Sequence, residues 1–268
     1  MYHAQNATLG FQKIFVLNRP ARTDRRRNMV ALSRHHKLHF SYAPTFDKNE
    51  ADSLAQANGY RINGTHLACY LSHLDIYRRI VRENIETALV LEDDVDMEMD
   101  MRERHQKIMD QIRRDYGDDW DMLYLGHCTS DANEPLAVHS SNRSKVADID
   151  AGQLQSVTLY QTSYPMCMHA YAVTRESARR LAVVLEERLS TVGEDIDLVI
   201  AVGVEYGMAT VLGTSPPYIV QIGRHESPSD LTQLRDGDTA QRLDRSTLFH
   251  LKLRATDPRT LPRYMDLP

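Results

Sequence analysis

Glu92, Asp93 and Asp94 close the apolar run Thr87-Ala-Leu-Val-Leu91, in the stretch LVLEDDVD. Side chains alternate along an extended strand, so Glu92 and Asp94 share one face while Asp93 points to the other. Three adjacent anions repel, and burying them together without a counterion raises their pKa values at a cost on the order of several kcal/mol. A divalent cation removes that penalty. Hard oxygen ligands on a rigid strand end suit Mg²⁺ or Mn²⁺ carrying the phosphates of a substrate. The competing reading is a solvated acidic turn.

Two further groups could serve the same chemistry. VLNRPARTDRR places Arg19, Arg22 and Arg25 after a strand end. Backbone N–H groups and one guanidinium there could meet a nucleotide phosphate, and a solvated basic helix start has the same composition. Ser72 and His73 fall in the middle of an apolar helical pattern, where His73 could bond a phosphate or the acids, or pack the helix onto a sheet as a hydrogen-bonded core histidine. HHKLH, residues 35–39, has no spacing that suits a facial metal site and reads as a solvated helix end.

The elements that must hold these residues alternate in type. KIFVL reads as a buried strand and Asp24 to about His36 as a helix capped by Thr23 or Asp24. LHFSYA is a strand, and KNEADSLAQANG a short helix ended by Asn58-Gly59. Leu67, Leu71, Leu74, Ile76 and Ile80 give the segment from Thr65 to Asn84 a helical apolar face. The strand TALVLE then leads into the acids. MRERHQKIMDQIRRDYG is a helix, DMLYLG a strand, MHAYAVT a strand, RESARRLAVVLEERL a helix, DIDLVIAVGVEYG a helix capped by Asp195, and PPYIVQI a late strand. This alternation predicts an α/β fold with a mostly parallel central sheet flanked by helices, whose ligands lie beyond the carboxyl ends of the strands. The polar stretch from Gly126 to Gly152 reads as a long loop, either a lid or a surface excursion. We expect one domain over residues 1–245 and a tail over 246–268 that wraps the surface or is disordered.

The chain has 268 residues and a formal net charge of −5, which implies neither nucleic-acid binding nor attraction to an anionic membrane. Cys69, Cys128 and Cys167 exclude a disulfide-built scaffold and allow at most one bridge. Asn6, Asn63 and Asn142 begin glycosylation sequons, which lean toward the secretory pathway, although chance supplies such triplets too. No apolar stretch could span a bilayer, and the start lacks the basic flank and apolar core of a leader. Either the protein stays in the cytosol or an anchor has been removed from it.

GTHLACYLSHLDIYRRIVRENIETALVLEDDV resembles the G-x-x-x-x-C-x-x-S-H-L, helix, apolar strand, E-D-D-V signature of glycosyltransferase family 25. The shared residues are Gly64, Cys69, Ser72, His73, Leu74 and Glu92 to Val95. FVLNRPARTDRR, WDMLYLG, HAYAVTRESARRL and GEDIDLVI follow the family in order, over about residues 13 to 231. The resemblance implies a single GT-A type, Rossmann-like domain, a UDP-sugar donor with galactose as the first sugar expected, and a metal held by the acids. Carried over, Asp94 is the direct metal ligand, with Glu92 and Asp93 orienting the donor's ribose and sugar. Members of the family invert the anomeric centre, which needs a general base. Asp197, at the family's position, and Asp195 are the candidates, each equally suited to a helix cap. Leu17 and Asn18 fall where the family has an Asn-Leu pair, here in reversed order. His225, in GRHESPSDL, resembles the late histidine that completes the metal or diphosphate site in some GT-A enzymes; a turn histidine is the alternative.

The acceptor expected is a glycan or glycoprotein, and the compartment the Golgi or endoplasmic reticulum lumen, or the cytoplasm if the protein has no anchor. Two other readings stand beside this one. Asp94-Val95-Asp96 imitates the D-x-D of a phosphohydrolase, but Glu98 stands where that class has Thr or Val. A degenerate transferase that binds a glycan or protein without turnover would keep the fold and lose the donor.

Overall fold

The computed structural model describes residues 6–128, 157–222 and 243–256. The chain begins with β1 (Lys13–Leu17), α1 (Thr23–His36), β2 (Ser41–Ala43), α2 (Lys48–Asn58) and α3 (Gly64–Arg82). It continues with β3 (Thr87–Glu92), β4 (Val95–Met97), α4 (Met101–Asp115) and β5 (Met122–Cys128). The second half holds β6 (Thr158–Gln161), β7 (Met166–Thr174), α5 (Arg175–Thr191), α6 (Ile196–Glu205), β8 (Val211–Ser215), β9 (Ile219–Gln221) and α7 (Thr247–Thr256).

The main sheet has the order β2-β1-β3-β7-β5-β8-β6. β1 runs parallel to β2 and β3, and β5 parallel to β8, while β7 and β6 oppose their neighbours. Strands 1, 2, 3, 5 and 8 therefore share one direction, the α/β class with a mostly parallel sheet that the sequence predicts. The period-two alternation sorts side chains cleanly between two cores. Phe15, Leu17, Ala88, Val90, Met122 and Tyr124 pack under α2, α3, α5 and α6. Ile14, Val16, Leu89, Leu91, Leu123 and Leu125 pack with Met29 of α1 and Ile108 of α4 on the opposite face. Because both faces are covered, the strands read as continuous apolar runs rather than half-polar ones.

Several elements differ from expectation. The late main-sheet strand is Val211–Ser215, which was not foreseen, whereas PPYIVQI supplies only β9, paired antiparallel with β4 in a separate two-stranded ribbon. β4 and β6 are short and escaped the pattern. β2 covers only the end of LHFSYA. Arg22, not Thr23 or Asp24, holds the N-cap position of α1 and makes no side-chain cap bond. Part of the expected tail is helix α7. Its Leu248 is buried in the α1/α4 core and its Thr247 hydroxyl meets His36 Nε2 at 3.0 Å. Asp96 fixes the start of that helix, accepting from the Leu248 N–H at 3.1 Å and from the Ser246 hydroxyl. The second aspartate of the D-x-D pattern is thus a helix anchor. The single permitted disulfide joins Cys128 to Cys167. Among the described residues no helix is long and apolar enough to cross a membrane.

Candidate active site

The site is assembled where β1 and β3 end side by side, with Leu17 in register with Glu92. Asn18, directly after β1, and Arg25, in the first turn of α1, both reach the acids. Asp93 accepts from Asn18 Nδ2 at 2.6 Å and from Arg25 Nη1 at 2.8 Å. Arg25 also lies 3.3 Å from Asp94 Oδ2. Buried inside the protein, its guanidinium is thus the counterion that lets Asp93 stay in the interior.

Glu92 faces the other core. His73, fully buried in the middle of α3, places Nε2 3.4 Å from Glu92 Oε1 and Nδ1 2.9 Å from the Tyr171 hydroxyl. Both readings of His73 therefore meet in one residue, which packs α3 onto the sheet and touches the acidic group. Ser72 is used locally, donating to the Ala68 carbonyl at 2.7 Å and accepting from the Phe46 N–H at 3.0 Å, which ties α3 to the β2–α2 connection.

Asp94 carries the site's unmet demand. Gln221 Nε2, at the end of β9, donates to Oδ2 at 3.1 Å, but Oδ1 is buried with no hydrogen-bond partner. Burial, then the neighbouring charge of Glu92, pushes the Asp94 carboxyl up to about 7, against the pull of Arg25. Burial also raises Asp93, with Asn18 and Arg25 opposing it. Burial acts upward on Glu92 as well, yet the hydrogen bond and charge of His73 outweigh it and leave this carboxyl below its ordinary value.

These side chains line a cleft of about 680 Å³ including its mouth. Its walls comprise Leu17 and Arg19 from the β1 end, Thr45, Phe46 and Lys48 before and at the start of α2, Thr65, Ala68 and Cys69 from α3, and the three acids. The donors fit a hard divalent cation: carboxylate oxygens of Glu92 and Asp94, one of them buried and unpartnered, on a rigid strand end. Cys69, His73 and Glu92 also bring one ligand atom each within 4.8 Å of one another. His73 is already engaged on both nitrogens. Burial, then Glu92, lifts the Cys69 thiol well above its ordinary value, so the thiol stays protonated and is a poor metal ligand.

Asp195 and Asp197 stand at the start of α6, beyond Cys69. Asp195 occupies the N-cap position but makes no cap bond; its carboxylate, about half exposed, meets His66 Nδ1 at 2.7 Å. Asp197 is less exposed and accepts from the Cys167 N–H at 3.2 Å and the Leu198 N–H at 2.9 Å. Burial raises its pKa despite those donors, with the charges of Asp195 and Glu92 adding to the rise.

The structure thus gathers Leu17, Asn18, Arg19, Arg25, Ser72, His73, Glu92, Asp93 and Asp94 into one region, with Arg25 turned to the acids rather than left open for a phosphate. Arg22 instead lies toward Asp24, 2.9 Å away at the helix start. His225 lies outside the described residues. Gln221, Tyr171 and Lys48 are additions. Gln221 reaches Asp94 only through the pairing of β9 with β4, a long-range contact with no local signature.

The model of the family described as Glycosyltransferase family 25 (LPS biosynthesis protein) matches residues 11–199. Procollagen galactosyltransferase 2 of Mus musculus is 24% identical over 187 residues, 65% of this chain and 28% of that protein. A glycosyltransferase 25 family member of Anopheles gambiae is 27% identical over 188 residues, 65% of this chain and 29% of that protein. A human protein named Inactive glycosyltransferase 25 family member 3 is 27% identical over 144 residues, 48% of this chain and 24% of that protein. The chain spans less than a third of the length of these relatives.

Proposed function

Because the chain belongs to glycosyltransferase family 25, whose model covers residues 11–199, we propose that it moves a sugar from a UDP-sugar donor to a glycan or glycoprotein acceptor, with Mn²⁺ or Mg²⁺, inverting the anomeric centre in a GT-A type domain. Galactose is the donor sugar to test first, as the names of the relatives suggest. The observation that carries the reading is the buried, unpartnered Oδ1 of Asp94 beside Glu92, on the wall of a cleft at the strand ends.

In this reading Asp94 and Glu92 hold the cation, which when bound neutralises the charge of the diphosphate leaving group. Asn18 and Arg25 fix Asp93 and so set the direction in which the acid run enters the cleft. Arg19 and Lys48, on the cleft wall, supply positive charge for phosphate oxygens. His73 orients Glu92, and its own ring is fixed from behind by the Tyr171 hydroxyl.

The acceptor hydroxyl oxygen bonds to the anomeric carbon as the bond from that carbon to the UDP oxygen breaks, and its proton passes to Asp197. Partial burial keeps this carboxylate basic enough to accept it. Asp195, held by His66, stands at the solvent side of the same turn. The Cys128–Cys167 disulfide and the sequons favour an oxidising secretory lumen over the cytoplasm.

Release of UDP from UDP-galactose and other UDP-sugars, with and without Mn²⁺, tests the reading. Metal-dependent release that disappears in Asp94→Ala is expected. A folded protein that releases none and binds no UDP supports instead a degenerate binding module, a reading favoured by the similarity to the inactive human family member.

A further inference from the structure

We propose that the Cys128–Cys167 disulfide is a positioning device for the base, holding Cys167 in the left-handed backbone conformation that aims its N–H at the Asp197 carboxylate. The proposal rests on the reading of Asp197 as base and adds how that residue is held.

Cys167 has φ 66° near the start of β7. A non-glycine residue there is uncommon and persists only where its surroundings enforce it. The pairing of β5 with β7 shifts register between Gly126 and Cys128, with Cys128 opposite Met166, so Cys167 lies at an irregularity of the ladder. In one common class of bulge it is glycine that takes the left-handed position. Here a cysteine takes it, with its sulfur bonded across the ladder to Cys128 at a Cα separation of 5.6 Å. The irregular backbone turns the Cys167 N–H toward α6, where Asp197 Oδ2 receives it at 3.2 Å. The other oxygen, Oδ1, receives the Leu198 N–H within the helix start itself. Only the first of these bonds ties the carboxylate to the sheet.

The groups facing Asp197 are otherwise unfavourable to its charge. Asp195 on α6 and Glu92 at the end of β3 are anionic, and Cys69 of α3 and Tyr124 of β5 are close enough for Asp197 to raise their pKa values. His66 is paired with Asp195. An N–H donated to a carboxylate stabilises its charged form, so losing the Cys167 donor raises the Asp197 pKa. Since a base must be deprotonated, the acid limb of kcat moves to higher pH. Cys128 and Cys167 are both partly exposed, so a reductant can reach the bridge.

The test compares wild type, Cys128→Ser/Cys167→Ser, wild type reduced with a phosphine and checked by thiol titration, and Asp197→Asn. Measured are kcat against pH and the melting-temperature shift with UDP and Mn²⁺. Breaking the bridge is expected to lower kcat about tenfold at pH values below the acid limb, as a rise of about one unit in the pKa of the base requires. It should also move the acid limb up by about one pH unit and leave the UDP–Mn²⁺ shift unchanged. If the doubly substituted protein does not fold, the reduced wild type gives the same readouts. Cys128→Ser/Cys167→Gly adds a rescue, since glycine adopts the left-handed conformation without the bridge. It should bring the limb back toward wild type.

A wild-type pH profile in the bridge-free protein, with Asp197→Asn inactive, overturns the positioning role and leaves the base assignment standing. Full activity in Asp197→Asn overturns the base assignment and this inference with it.

Discussion

Asp94→Asn in the metal-free protein isolates the electrostatic debt of the acidic cluster. The carboxyl titrates near 7 in the folded state against 3.8 for the free side chain. A folded pKa above the unfolded one means the native state holds the proton longer, so stability falls as pH rises from about 4 to 7 and the deficit is complete above 7. A difference of about three pKa units corresponds to about 4 kcal/mol. Asparagine keeps the shape and removes the charge, at the loss of the 3.3 Å approach of Arg25. Urea unfolding in a chelator at pH 8 should therefore show the variant more stable than wild type by about 2–4 kcal/mol, with the gap closing toward pH 4. Contributions from titrating groups remote from Asp94 cancel in the difference. Mn²⁺ at about 1,000 times Kd should erase or reverse the gap, because only the wild type gains binding energy, about 4.1 kcal/mol. A variant no more stable than wild type at pH 8 without metal refutes the claim that Asp94 is a buried charge awaiting a cation.

Arg25→Ala should cost about 3–5 kcal/mol in the same unfolding assay, because it leaves Asp93 buried with its charge uncompensated. Gly126→Ala should lower stability by about 3 kcal/mol, because the added Cβ would fall 2.1 Å from the Ile219 carbonyl oxygen and 2.5 Å from His169 Nε2. Burial lowers the His105 pKa to about 4, so the unfolded state takes up the proton first on acidification and stability is lost as pH falls from 6.5 to 4. His105→Gln should flatten that loss by about 3 kcal/mol at pH 4, read from the difference in unfolding free energy between pH 7 and 4.

Much of the fold is legible in the sequence where the signal is local. The continuous apolar runs of KIFVL and TALVLE mark buried strands, and the helix between Thr65 and Asn84 carries its apolar face openly. Together they put the acids at a strand end and His73 beneath them. What escaped is long-range. β4 has three residues, too few for a pattern, and although PPYIVQI reads as a strand, only its unforeseeable pairing with β4 carries Gln221 to Asp94. Three cysteines permit three pairings, and the choice of Cys128 with Cys167 follows from the antiparallel β5–β7 ladder rather than from spacing. Asp195 has the residue type and place of a helix cap, yet the exposed His66 takes its carboxylate instead. The prolines at the end of the chain suggested a tail from 246 onward, but the segment before them, TLFHLKL, has an apolar leucine that docks beside α1.

The most direct test of the account is the melting temperature of the protein with UDP, with Mn²⁺, and with both, in wild type and Asp94→Ala. The account predicts that the pair raises the wild-type midpoint by more than the sum of the separate shifts, and that Asp94→Ala loses the excess. Equal and independent shifts, or none at saturation in a folded sample, would contradict a shared nucleotide and metal site at the end of β3.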